Sequence, residues 1–541
     1  MDSLAANTVL QWSIFEQRFF SETRYESPLH EVRAFRITFT APSGGQKTVR
    51  GFWNGENDWR VRLMPNEVGT WHYQTRCSDA HNAGLHEQEG WFICEPNPSP
   101  LALYRHGAVG HRFGERFLRH ADGTPFFYAA CTAWNGPLKS TEAEWSTYLA
   151  HRAKHRYTAI QFVATQWRGG DTNSQLQTAY TGRRRIVINP AFFQHLDNKI
   201  DQINAHGLLA APVLLWALPF GAGRSLSPGV TLPRDQAVLL AQYIVARYGG
   251  HHVLWLLGGD GYYLNVYARR WKRIGRQVFE GFSPADVSPA DEVSAFTCPA
   301  VALHPMGRSW IGEAYAKEPW LNVVGYQSGH GTDRAAVDFI TRGSVARTWA
   351  QLPARPTINM EPCYEELRPE IDAEAVRNAS YRSVFATPPA GIAYGANGIW
   401  PWIRPGERIL NHGALSQRPV RPWQEGIDLP GSKQVGYLAQ FMQQFRWWEL
   451  VPDNTLLTQQ PGDEDYRRFV SVLRSDDYRT VLVYLPTATA VELHNPQRVS
   501  YRLRWFDPAA NVFSAGEADG SGDTVPLDPP GGQDAVAVLE S

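Results

Sequence analysis

The chain has 541 residues, more than one hydrophobic core usually supports, so two or three domains are expected. An apolar fraction of 43% with 19% charged residues is that of a soluble globular protein, and a formal net charge of -1 argues against nucleic acid, whose phosphates need a basic face. No acidic tail or basic tract occurs, and no run approaches the ~18 apolar residues of a membrane span. The 20 Trp, 22 Tyr and 25 Phe suit a core and sugar rings about equally. Five cysteines (Cys77, Cys94, Cys131, Cys298, Cys363) are scattered without metal-ligand spacing and read as buried free thiols in a reducing compartment. Residues Met1 to Val9 are too polar for a signal peptide, so the expected location is cytoplasmic, with prior removal of a leader as the alternative.

In chain order, the first hundred residues alternate with period two. Phe35, Ile37 and Phe39 form one such run, Trp59, Val61 and Leu63 another, and Trp71, Tyr73 and Thr75 a third after a turn at Pro65-Asn66 and Gly69. This is the pattern of an antiparallel β-sandwich, placed at 1–98. The Pro-rich stretch Glu95–Pro100 follows as a linker. From about residue 110 apolar strands alternate with helices. Strands are expected at Phe126–Cys131, Ala159–Val163, Leu208–Leu215, Val253–Leu257, Val301–Leu303, Val323–Tyr326, Thr357–Met360 and Gly391–Tyr394 with Ile399. One intervening helix opens at Asn189-Pro190, carries Phe193, Leu196, Ile200 and Ile203 on one face, and closes at Gly207. Eight such repeats predict an α/β fold, a (β/α)8 TIM barrel over 99–451. A doubly wound sheet is the alternative, though no Gly-rich phosphate loop supports it. Period-two runs return at Phe469, Ser471 and Leu473, at Val481, Val483 and Leu485, and at Val499 to Trp505, predicting a C-terminal β-sandwich over 452–541.

Barrels of this type carry their chemistry at the C-terminal ends of the strands. Those ends hold Trp134; Gln166 and Trp167; Trp216; Asp260; His304; Gln327 and His330; Glu361, Tyr364 and Glu365; and Trp400 and Trp402. Two carboxylates each end an apolar strand directly, Asp260 after Gly258-Gly259 and Glu361 before Pro362. Strands four and seven face each other across a barrel mouth, and glycoside hydrolysis needs such a facing pair. A partly desolvated Asp260 would hold its proton while Glu361 stays ionised. Taken alone, either carboxylate is as readily a helix cap or an Arg partner. Glu365, one helical turn beyond Glu361, is the rival to it. His304 and His330 are as readily satisfied core imidazoles as sugar contacts. Cys363 lacks a neighbouring His and is a poor nucleophile.

At these same residues the chain resembles the apiosidase-like glycoside hydrolases. The matching stretches are Pro125–Trp134 (PFFYAACTAW), Val253–Asp260 (VLWLLGGD), His304-Pro305, Gln327–His330 (QSGH), Pro356–Glu365 (PTINMEPCYE) and Tyr394–Trp402 (YGANGIWPW). Residues 10–95 and 453–541 resemble the N-terminal sandwich and the C-terminal sandwich, sometimes labelled collagen-binding, that are fused to this family. The resemblance implies a retaining mechanism with Asp260 as acid/base and Glu361 as nucleophile, acting on an oligosaccharide or glycoside without metal or other cofactor. Where the wider clan places Asn-Glu at the end of strand four, this chain has Gly259-Asp260, which is compatible with a furanose such as apiose or arabinose. A non-catalytic glycan-binding protein and an inverting hydrolase are the competing expectations.

Overall fold

The computed structural model describes residues 8–279, 298–517 and 522–541. Its centre is a parallel sheet of eight strands, numbered here β1 (Tyr128–Thr132), β2 (Ala159–Val163), β3 (Leu209–Trp216), β4 (Trp255–Gly261), β5 (Val301–Pro305), β6 (Val324–Gln327), β7 (Thr357–Glu361) and β8 (Gly391–Tyr394). The hydrogen-bonded order is β5-β4-β3-β2-β1-β8-β7-β6, so the sheet curls almost into a barrel with its seam between β5 and β6. Nearly every residue of these strands is buried, as a parallel sheet covered on its outside requires. Gly325 lets β6 approach the seam, because a Cβ there would lie 2.5 Å from the Leu303 carbonyl of β5. Val323 N donates to Val301 O at 3.1 Å across the same seam.

Helices cover the outside, and the best-defined one shows why its residues form it. Over Pro190–Ala205 the side chain of Asn189 accepts from Ala191 N, proline occupies the first turn, and Phe192, Phe193, Leu196, Ile200 and Ile203 are buried. Gly207 beyond its end adopts φ +74°, the left-handed conformation that glycine accepts without strain. The expected strict alternation fails in one place. Between β5 and β6 the chain makes turns rather than a helix, since Gly307, Gly312 and Pro319 break it and the buried rings of Trp310, Tyr315 and Trp320 anchor it instead. Strands β4, β5, β6 and β7 run one to four residues further than their apolar runs, so Asp260, His304, Gln327 and Glu361 lie inside the strands. Ile399 lies outside β8, and Phe126 pairs with Leu118 in a small antiparallel sheet.

At the N-terminal end a five-stranded and a three-stranded sheet share one core, in which Phe35, Ile37, Phe39, Trp71 and Phe92 of the first meet Phe15, Phe19, Trp59 and Val61 of the second. At the C-terminal end a six-stranded sheet and the pair Val491–His494 and Thr524–Leu527 enclose another, through Val472, Val483, Leu493, Trp505 and Leu527. Val499 and Tyr501 stand outside its strands. Cys77, Cys94, Cys131 and Cys363 are buried free thiols, and the Cys298 side chain lies outside the described ones. Among the described residues no helix is long and apolar enough to cross a membrane.

A buried ion cluster ties the N-terminal sheets to the barrel. Arg62 Nη2 lies 2.9 Å from Asp197 Oδ2, while Arg247 Nε donates to Asp197 Oδ1 at 2.7 Å. Both guanidinium groups lie over the ring of Phe52, at 5.2 and 4.9 Å. Burial acts to raise the Asp197 carboxyl, but the two arginines outweigh it and bring it down from 3.8 to about 2. A carboxyl depressed in the fold stabilises above its ordinary value and loses that contribution as the pH falls through its folded value. Asp197→Ala, which strands two buried cations, is expected to cost about 3–5 kcal/mol of unfolding free energy at neutral pH. In denaturant titrations the gap between wild type and variant should narrow as the pH falls from 3.8 to about 2; a constant gap would refute the assignment.

Candidate active site

The last residues of β4, β5, β6 and β7 converge at one end of the barrel. Around Gly259 and Gly261 the register of β4 against β5 shifts, a bulge that redirects the side chain between them. Asp260 itself sits at φ +48°, a left-handed conformation uncommon for a non-glycine residue. Gly259 has no room for a side chain, since a Cβ would stand 2.7 Å from the face of Trp216.

This turn delivers the Asp260 carboxylate to Glu361. One oxygen from each carboxylate and a ring nitrogen of His304 lie within 4.8 Å of one another, and all three residues are buried. Asp260 Oδ1 accepts from Gln327 Nε2 at 2.7 Å, and its Oδ2 from Arg168 Nη2 at 3.1 Å. Gln327 Nε2 also lies 3.0 Å from His304 Nδ1. Glu361 Oε1 is held by His330 Nε2 at 2.9 Å. Its Oε2 faces His304 Nε2 at 3.3 Å in an ion-pair contact without aligned hydrogen-bond geometry. The two carboxyls are driven apart in acidity. Burial and then the charge of Glu361 push Asp260 above its ordinary value. Burial acts the same way on Glu361, but the imidazoles of His304 and His330 outweigh it and hold that carboxyl well below the usual range. Burial lowers His304, and the two carboxylates more than reverse this.

Aromatic side chains form the wall. Trp134 Nε1 donates to the Tyr364 hydroxyl at 2.9 Å, and the Trp134 ring meets His304 and Trp216 edge-on at 5.3 and 5.8 Å. Trp167 lies 4.5 Å from Trp216, and Trp400 6.4 Å from Trp167. Tyr364 packs on His330 at 4.4 Å. The indole N–H groups of Trp216 and Trp400 are buried donors without a partner in the protein.

Three of the expected contact residues are engaged elsewhere. Glu365 accepts from the Tyr394 hydroxyl at 2.7 Å and from Gly431 N at 3.1 Å, tying β8 to the helix Pro430–Met442. Gln166 braces its own loop, accepting from Ala179 N at 2.9 Å and donating to Tyr180 O at 3.0 Å. Trp402 is packed in the outer layer against Trp145, Tyr148 and Trp423. In return, two residues enter that the strand pattern did not single out. Arg168, one position beyond Trp167, is the cation on Asp260, and His412 packs at a tilt against Trp400, with ring centroids 4.8 Å apart. Position just past a strand end was the available signal for Arg168; none existed for His412.

Asp260, His304 and Glu361 are also the one group of three, among the described residues, with donor atoms close enough for a cation. Arg168 and Gln327 already engage both Asp260 oxygens, so the set is arranged to hold protons unequally on two carboxyls.

Residues 113–449 match the family model described as the apiosidase-like catalytic domain. The chain belongs to the apiosidase-like glycoside hydrolases. Residues 8–78 match a second model, a domain of unknown function (DUF5060). No curated protein matches. Among solved structures, one glycoside hydrolase is 23% identical with a TM-score of 0.66, over 81% of this chain and 98% of the other. A family 5 glycoside hydrolase of Bacteroides vulgatus ATCC 8482 is 22% identical with a TM-score of 0.66, over 81% and 94%. Another protein of that strain, provisionally assigned as a glycoside hydrolase, is 18% identical with a TM-score of 0.70, over 99% of both chains. At these identities the likeness is one of fold.

The electrostatics of this apiosidase-like site can be read without any substrate. Arg168→Met removes a cation that lowers Asp260, so the Asp260 titration should move still higher; His330→Ala should move that of Glu361 upward. Carboxyl-carbon NMR on selectively labelled protein checks both. Unchanged titrations in the two variants would contradict the attributed causes.

Proposed function

We propose that this apiosidase-like hydrolase is a retaining enzyme that removes a terminal pentofuranose-type sugar, apiose- or arabinose-like, from a plant or bacterial glycan. In this reading a (β/α)8 barrel flanked by two β-sandwiches carries the reaction, with Asp260 as acid/base and Glu361 as nucleophile. The observation that carries it is the close approach of the two carboxylates, one oxygen of each lying within 4.8 Å of the other. Retaining enzymes keep their carboxyl groups about 5–5.5 Å apart, whereas inverting ones need about 6.5–9.5 Å to admit a water.

The chemistry follows from the unequal protonation. Asp260, raised by burial and by its anionic neighbour, holds a proton for the leaving oxygen. Glu361 is ionised, with Oε1 hydrogen-bonded to His330 and Oε2 facing the His304 ring at 3.3 Å without an aligned hydrogen bond, and Oε2 is the oxygen assigned to attack the anomeric carbon. Attack forms the glycosyl ester at Glu361 as the leaving oxygen takes the Asp260 proton. The Asp260 carboxylate then draws a proton from water, which displaces the ester and restores both groups. As the Glu361 charge is lost in the ester, the repulsion raising Asp260 falls and its acidity increases, which suits its change from acid to base. Gln327, His304, His330 and Tyr364 would contact the bound sugar, with Trp134, Trp167, Trp216 and Trp400 as its wall. A furanose is favoured by the short acid and by Gly259, whose would-be side chain space Trp216 fills.

Asp260→Ala and Glu361→Ala should each lower hydrolysis of the best aryl pentoside or hexoside by about 10²–10⁴-fold without loss of fold. Azide should restore Glu361→Ala and give the glycosyl azide of inverted configuration. Full activity in Glu361→Ala, or a wild-type first product of inverted configuration, would defeat the assignment. Since Asp260 must be protonated for the first step, kcat/KM should fall as pH rises through its raised pKa, and Arg168→Met should move that alkaline limb upward.

A further inference from the structure

On the acid side of the site, the rim carries large aromatic rings turned to solvent. Phe220 on the loop after β3, Tyr262 two residues beyond Asp260, and Tyr267 before the helix Ala268–Val278 are 47%, 42% and 45% exposed. They form one cluster. Phe220 and Tyr262 have ring centroids 6.3 Å apart at 45°, and Tyr262 and Tyr267 have theirs 5.7 Å apart at 49°. Val266, 82% exposed, adds apolar surface between them in sequence. Single exposed apolar residues are ordinary, but a contiguous group of exposed rings marks a contact surface.

The cluster is built onto the catalytic turn. Tyr263 is buried, packs edge-on against Trp271 at 4.9 Å, and its carbonyl accepts from the Tyr315 hydroxyl at 2.9 Å, which fixes the backbone beneath Tyr262. The loop that bears Phe220 leans on Arg168, the partner of Asp260, because a Cβ at Gly223 would lie 2.3 Å from Arg168 Cβ. Phe220 and Tyr262 are therefore held by elements that hold the acid itself.

We propose that Phe220, Tyr262 and Tyr267 form a leaving-group subsite for a saccharide of at least two rings, an inference that rests on Asp260 being the acid. The acid protonates the glycosidic oxygen, so the departing portion of the substrate leaves over the Asp260 side, where these rings stand. Tilted by 45° and 49° to one another, the three rings share no single plane, which suits the C–H faces of successive sugar rings better than one planar aryl group. The two tyrosine hydroxyls offer partners to the sugar hydroxyls, and aromatic side chains with two torsions lose little entropy on contact.

Direct binding tests this independently of turnover. Saturation-transfer NMR on the full chain with xylobiose and cellobiose, against xylose and glucose, should show tighter binding of a disaccharide. Phe220→Ala, Tyr262→Ala and Tyr267→Ala should each weaken it about three- to tenfold. Trp91→Ala, on the distant N-terminal sheet, should leave it unchanged. Absence of disaccharide binding, binding indifferent to all three substitutions, or binding confined to a planar polyphenol such as a flavone would overturn the subsite. So would sedimentation showing that the rings mediate self-association of the chain. Failure of the hydrolase reading shows separately, as no hydrolysis in the aryl glycoside screen while the disaccharide still binds.

Discussion

Two buried carboxylates within 4.8 Å repel each other in a medium that screens poorly, and the local structure is arranged to make that repulsion useful. If both were treated alike, they would share one proton symmetrically. They are not treated alike. Glu361 meets two imidazoles and stays charged; Asp260 meets an arginine at 3.1 Å and an amide at 2.7 Å, and burial still leaves it raised. Its neighbour's charge contributes to that elevation, so the acidity of one carboxyl is set in part by the state of the other. Coupling of this kind requires fixed separation, and four strand ends provide it.

The demand for fixed positions explains the backbone around Asp260. A plain strand would alternate its side chains, with Gly259 and Gly261 on the same face and Asp260 on the other. The bulge and the left-handed φ of Asp260 break that alternation and aim the carboxylate inward. Both glycines are then needed for close approach, Gly259 to the face of Trp216 and Gly261 to the ring of Tyr263. Strain at one residue is tolerable because the packing on either side over-determines it.

The strand framework was legible in the sequence because burial on both faces leaves a continuous apolar run. Ala159–Val163 and Gly391–Tyr394 were bounded as observed for that reason. The carboxylate pair was legible because each ends such a run. Strands outrun their apolar runs where glycine or polar residues continue the ladder, as Gly259 to Gly261 do in β4. Glu365 looked like a rival to Glu361 because proximity in sequence does not reveal direction; Tyr394 and the N-terminus of the Pro430–Met442 helix hold its carboxylate. Arg168 pairs with Asp260 across 92 residues, and nothing local in the sequence encodes such a contact. The missing helix between β5 and β6 was foreshadowed by Gly307, Gly312 and Pro319, but a regular repeat invites the eye to supply one.

The sheets at the two ends grip the barrel at helices that lead from the strands bearing the site. Asp197, which receives Arg62 from the N-terminal sheets, stands on the Pro190–Ala205 helix that follows β2 and the Arg168 loop. Arg377 stands on the Ala373–Ala386 helix that follows β7 and Glu361, and it binds Asp534, just before the last strand of the C-terminal six-stranded sheet, at 2.7 Å in a buried pair. Tyr484 of the same sheet stacks on Tyr381 of that helix at 4.7 Å. Buried ion pairs of this kind add little net stability over apolar packing, yet losing one partner is costly, so they fix register more than they add strength. Thus each flanking layer clamps the element behind one side of the reactive pair, Arg168 with Asp260 on one side and Glu361 on the other. A separation that must hold to fractions of an ångström is better secured by such clamps than by loops alone.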